Sequence, residues 1–79
     1  MTRIQILGSG CAKCRQLTAV TEQAAQDLGL QYELEKVTDV ARYAEFGVMF
    51  TPALVVDGVV KLSGKVPSFD EARRLLAES

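Results

Sequence analysis

Arg3-Ile4-Gln5-Ile6-Leu7-Gly8-Ser9-Gly10-Cys11-Ala12-Lys13-Cys14 is the stretch on which the reading of this chain turns. Ile4 and Ile6 share one face and Leu7 closes the run, so Arg3 to Leu7 reads as a buried strand. Gly8-Ser9-Gly10 breaks it. Beyond it the period changes. Cys14, Leu17, Thr21, Ala24 and Leu28 recur at threes and fours, with Val20 widening the stripe, which predicts a helix from about Cys11 to Leu28. Gly29 suits a left-handed stop. Both cysteines therefore fall at the junction of a strand and the helix after it.

That junction has chemical consequences. The first turn of a helix carries unpaired N–H groups and the positive end of the macrodipole. There a thiolate is favoured over a thiol, and the thiolate is the nucleophile. Lys13 adds an exposed and therefore weak positive charge. Two intervening residues place the second sulfur one turn behind the first, where it can resolve a mixed disulfide. Cys14 lies on the apolar stripe and is expected to be the more buried. The roles follow: Cys11 attacks and Cys14 resolves. Gly8 and Gly10 are expected to let a substrate backbone come close to Cys11. As a staple the pair is weak, since a loop this short is worth only roughly 2 kcal/mol.

Outward from the motif, Gln31 to Val37 is the second strand, with Tyr32 and Leu34 on one face. Glu33 and Glu35 are read as a solvated face at the sheet edge, where charge discourages pairing. Asp39 can cap a short helix through Phe46, ended by Gly47. Tyr43, Phe46, Met49 and Phe50 are expected to be core and helix-end packing, the alternative being an exposed rim at Met49 and Phe50 that meets a partner. Ala53 to Val56 and Val59 to Leu62 flank Asp57-Gly58, the signature of a type I′ hairpin. Ser68 to Glu78 is the last helix: Ser68 and Glu71 have capping-box spacing, and Phe69, Ala72, Leu75 and Leu76 form its stripe. The predicted order is β-α-β-α-β-β-α. It folds economically as an α/β four-stranded mixed sheet with helices on both faces, the first two strands being parallel.

Composition narrows the function. The chain has 79 residues, too few for a second domain, with 48% hydrophobic and 24% charged residues. It has no histidine, which removes Ser-His-Asp and Cys-His catalysis and the His-based zinc sites. With two cysteines, one chain cannot build a four-ligand Cys/His metal site, so no metal ligand is assigned. A net charge of −1 gives no footprint for nucleic acid. No apolar run approaches the ~18 residues of a membrane span, and the start is too short and alternating for a signal peptide. The expected setting is the cytoplasm, where such a Cys pair is more often catalytic or metal-binding than structural.

The remaining feature is Thr51-Pro52, ahead of the Ala53 strand. Proline suits a first strand position because it lacks an N–H. Cis bonds are about 5–6% of X–Pro bonds, and an expected placement beside the first strand raises that fraction here. At this point the chain resembles the thioredoxin and glutaredoxin superfamily. The resemblance rests on Cys11-Ala12-Lys13-Cys14 after the first strand, on Phe46-Gly47-Val48 and Thr51-Pro52-Ala53-Leu54-Val55-Val56, and on the Asp57-Gly58 hairpin with its closing helix. It covers nearly the whole chain and is nearest to the small redox-active disulfide proteins of bacteria and archaea. It implies one thioredoxin-like domain over residues 1–79 and a cis bond before Pro52. Carried over, Cys11 and Cys14 become the catalytic pair, and Gly10, Ala12, Lys13, Thr51 and Pro52 the substrate-positioning residues, with the Thr51 backbone pairing with an extended peptide. It further implies a disulfide-containing protein or small-molecule substrate, a reductase as electron donor, no cofactor beyond the Cys11–Cys14 disulfide, and a monomer. The chain departs from thioredoxins in having Gly10 for a tryptophan, Ala12-Lys13 for Gly-Pro, and Gln5 for a buried acid. Where glutaredoxins hold glutathione it has Ser63-Gly64-Lys65. Two alternatives share the same motif. Soft-metal carriers place a CxxC at this junction but run β-α-β-β-α-β, and a redox sensor or docking subunit would act through one partner.

Overall fold

The computed structural model of the chain describes residues 2–8, 10 and 12–78. Its elements are β1 (Thr2–Leu7), α1 (Ala12–Asp27), β2 (Tyr32–Val37), α2 (Val40–Glu45), β3 (Ala53–Val56), β4 (Val59–Ser63) and α3 (Phe69–Ala77). This is the predicted order. The strands form one mixed sheet in the order β2-β1-β3-β4. β1 runs parallel to β2, while β1–β3 and β3–β4 are antiparallel.

Alternation along the strands divides the core in two. Ile4, Ile6, Leu54 and Val56 meet Leu17, Ala24 and Ala25 of α1 and Ala72 and Leu76 of α3 on one face. Leu7, Val37, Ala53 and Val55 meet Tyr43 of α2 and Val48 on the other. Each large aliphatic side chain buried in this way contributes about 1.5–3 kcal/mol. Helices thus cover both faces, and β3, buried at every position, lies inside the sheet.

The punctuation residues set the turns. Asp57 and Gly58 have φ of 50° and 82°, as a type I′ turn requires. The Asp57 carboxylate accepts a hydrogen bond from the Arg3 N–H at 2.9 Å, and the Asp57 N–H donates to the Arg3 carbonyl at 2.8 Å, so the hairpin is tied to the start of β1. A register irregularity between Leu54 and Val55, which no residue pattern announced, bends the β3–β4 pair. The Ser68 hydroxyl accepts from the Glu71 N–H at 3.2 Å, one half of the expected capping box. The Glu71 carboxylate turns to Lys65 and Arg74, at 3.9 and 3.8 Å.

α2 begins where Asp39 accepts from the Ala41 N–H at 3.0 Å. It ends in a Schellman motif: the Val48 N–H donates to the Tyr43 carbonyl at 2.9 Å and that of Gly47 to Ala44 at 3.0 Å. Gly47, at φ 73°, makes that reversal and leaves Val48 buried. The connector then differs from expectation. Met49 and Phe50 are 87% and 68% exposed, not core. Val48 already fills the end of the α2 layer, so the next two side chains are left outside. A β-carbon on Gly64 would stand 3.2 Å from the Phe50 Cβ, so Phe50 lies over the end of β4.

Glu35 corrects a second expectation. It lies directly opposite Gln5 in the parallel pair. Its carboxylate accepts from the Gln5 side-chain amide at 2.9 Å and from both Arg42 nitrogens at 3.2 and 3.3 Å. It therefore ties α2 to the sheet, while Glu33 remains exposed.

Candidate functional site

The antiparallel register pairs Leu7, the last residue of β1, with Ala53, the first of β3. The chain leaving β1 at Gly8 is thereby set beside Pro52. The Thr51–Pro52 bond is cis, with Thr51 exposed and Pro52 buried. α1 starts at Ala12 and carries Cys14 in its first turn, 5% exposed. Its burial follows from the stripe, since Cys14, Leu17, Thr21 and Ala24 all face inward.

Gly8 is the point at which these parts meet. A β-carbon there would overlap the Cys14 Sγ, stand 3.2 Å from its Cβ and 3.9 Å from the Pro52 Cα. Gly8 is itself buried, so the space left by its missing side chain holds the Cys14 sulfur and not a substrate backbone. This corrects the expectation for Gly8. Gly10 does keep open space on its β-carbon side: among the described residues, no heavy atom lies within 4 Å of an added β-carbon. Ala12 and Lys13 are exposed. Cys11 lies outside the described residues. The structure thus brings Cys14 and Pro52 together, with Gly8 between them.

Beside Cys14 lies a pocket of about 50 Å³, lined by Ile6, Gly8, Gly10, Cys14, Arg15, Thr18, Lys36 and Thr38. The Thr18 hydroxyl is engaged within the helix, donating to the Cys14 carbonyl at 2.9 Å. Arg15, Thr18, Lys36 and Thr38 are the site neighbours that sequence reasoning missed. One signal was present for Lys36. It follows Tyr32 and Leu34 at intervals of two, so a charged residue stands in the row that faces α1.

Among the described residues, no group of three or more His, Cys, Asp or Glu side chains is placed to hold a metal ion. None of their helices is long and apolar enough to cross a membrane. The element order β-α-β-α-β-β-α differs from the β-α-β-β-α-β order of the soft-metal carriers.

A cysteine in the first helical turn, set against a proline that opens the neighbouring antiparallel strand of a mixed sheet, defines a thioredoxin-like α/β protein. Comparison with known proteins agrees. Residues 2–77 match the family described as the thioredoxin domain. A thioredoxin of Methanothermobacter thermautotrophicus is 38% identical over 77 residues, spanning 98% of this chain and 100% of that protein. A thioredoxin of Methanocaldococcus jannaschii is 41% identical over 76 residues, spanning 96% of this chain and 87% of that protein. The chain belongs to the thioredoxin family, a family of dithiol-disulfide oxidoreductases.

Proposed function

We propose that this protein reduces or exchanges disulfides through Cys11 and Cys14. The Cys11 thiolate attacks one sulfur of the substrate disulfide, giving a mixed disulfide and releasing a first thiol. Cys14 then attacks the Cys11 sulfur and releases the second thiol, leaving Cys11–Cys14 oxidised. Two electrons pass to the substrate, and a reductase restores the dithiol. The observation that carries the reading is the buried sulfur of Cys14 in the first turn of α1, beside Gly8 and Pro52. A buried sulfur is shielded from outside disulfides but lies one turn behind its partner in the motif, as a resolving group needs. Gly10, Ala12, Lys13 and Thr51 are exposed around it, and with Pro52 they form the surface on which a substrate is positioned. Both sulfurs come from one motif, so a monomer suffices. A reducing compartment such as the cytoplasm completes the cycle.

The test is reduction of insulin disulfides by the wild type and by Cys11→Ser and Cys14→Ser, with dithiothreitol as donor. Both variants should fall to the uncatalysed background. The reading fails if neither loses activity.

A further inference from the structure

The pocket at Cys14 carries two cations that the proposed chemistry does not use. Arg15 projects from the first turns of α1, and Lys36 from the end of β2, where it pairs in register with Ile6. Both line the cavity together with Cys14. Ion pairs elsewhere engage Arg3, Arg42, Lys65, Arg73 and Arg74. Among the described residues, neither Arg15 nor Lys36 has a carboxylate partner. α1 adds no acid in its first turn. A chain of net charge −1 thus lines a concavity at Cys14 with two cations and, among the described residues, no carboxylate. Lysine on an edge strand is a common guard against strand pairing. Guarding alone does not call for a lysine on the face that α1 covers, lining the same cavity as a cysteine.

From this geometry we propose that the pocket binds the acidic group of a low-molecular-weight disulfide, and that this protein prefers anionic small-molecule disulfides. Several features fix the class. The volume, about 50 Å³, is several times the roughly 10–15 Å³ one water needs, so a carboxylate-sized group fits and a bulky residue does not. Cys14 is part of the lining, so an acid held there belongs to a compact disulfide that can reach the Cys11–Cys14 motif from the same pocket. Neither Thr51 nor Pro52 lines the pocket, which sets it apart from the side on which an extended peptide would lie. The bound acid would meet Arg15 and Lys36, whose charges favour an anion over a neutral or cationic group. The redox step is the one above: the Cys11–Cys14 dithiol gives two electrons to R–S–S–R and yields two R–SH. The inference rests on that reading.

The experiment is single-turnover oxidation of the pre-reduced protein by three aliphatic disulfides of similar size: 3,3′-dithiodipropionate (anionic), bis(2-hydroxyethyl) disulfide (neutral) and cystamine (cationic). The second-order rate for the anion should exceed that for the neutral compound by about tenfold at low salt, the reach of two charge contacts from exposed residues, and the ratio should shrink as salt is added. The anion-to-neutral ratio should fall to near one in the double variant Arg15→Ala/Lys36→Ala. In Arg15→Glu/Lys36→Glu the preference should pass to cystamine. Using a ratio cancels any change in thiolate fraction. A wild-type ratio near one overturns the inference while leaving disulfide reduction intact. So does an anion preference that survives both double variants. If no disulfide of any charge is reduced, the oxidoreductase reading fails, and this inference with it.

Discussion

A single glycine governs the room available to Cys14. Gly8 is not in the left-handed region, so its backbone would accept alanine, but a methyl there overlaps the Cys14 Sγ and presses on its Cβ at 3.2 Å. Gly8→Ala should therefore cost about 1–3 kcal/mol of stability, the usual range for overpacking. It should also lengthen the life of the mixed disulfide, because displacing a reacting group by about an ångström can slow a step roughly 100-fold. Denaturant unfolding and the decay of the trapped species followed by mass spectrometry check the two effects. Unchanged stability and unchanged decay would show that the sulfur has another place to go. Sequence reasoning saw a glycine at this position and gave it to the substrate. Only the folding of α1 back over β1 shows that the space belongs to Cys14, a contact between residues six apart that no periodicity encodes.

Among the elements, the strands and helices were legible because each rests on a local rule. Asp39, Ser68, Gly47 and Asp57-Gly58 are a cap, a cap, a stop and a hairpin turn, and each acts as such. What was not legible is how elements meet across the sheet. Glu35 reads as one more charge on an edge strand, yet it is held by Arg42 from α2 and Gln5 from β1. The Arg42 guanidinium first, and then the Gln5 amide, hold its carboxyl below the ordinary value of 4.5. A carboxyl whose pKa is lowered on folding stabilises the fold above its unfolded value, and that contribution is lost as the pH falls through the lowered folded value. The Tm difference between wild type and Glu35→Gln should thus be full near neutrality and shrink in acid, below the ordinary carboxylate range. A difference independent of pH would mean that Glu35 acts through packing alone.

Across the whole molecule, the two core layers of a 79-residue chain bring the end of β1, the start of β3 and the first turn of α1 to a common point. The motif at Cys11 to Cys14 and the proline at 52 were visible as separate features of the sequence, and antiparallel pairing of Leu7 with Ala53 joins them. The charged pocket beside them was not visible, since Arg15 and Lys36 are 21 positions apart and come together only through the packing of α1 on the sheet. The proposed chemistry stands or falls on the division of labour between the cysteines, Cys11 attacking and Cys14 resolving. Mass spectrometry of Cys14→Ser and Cys11→Ser, each reduced and then exposed to a disulfide substrate under native conditions, decides it. Cys14→Ser should accumulate a stable mixed disulfide at Cys11, and Cys11→Ser should remain unmodified because its remaining sulfur is buried. Accumulation of the adduct on Cys14 in Cys11→Ser, with none on Cys11 in Cys14→Ser, would reverse the two roles and refute the mechanism.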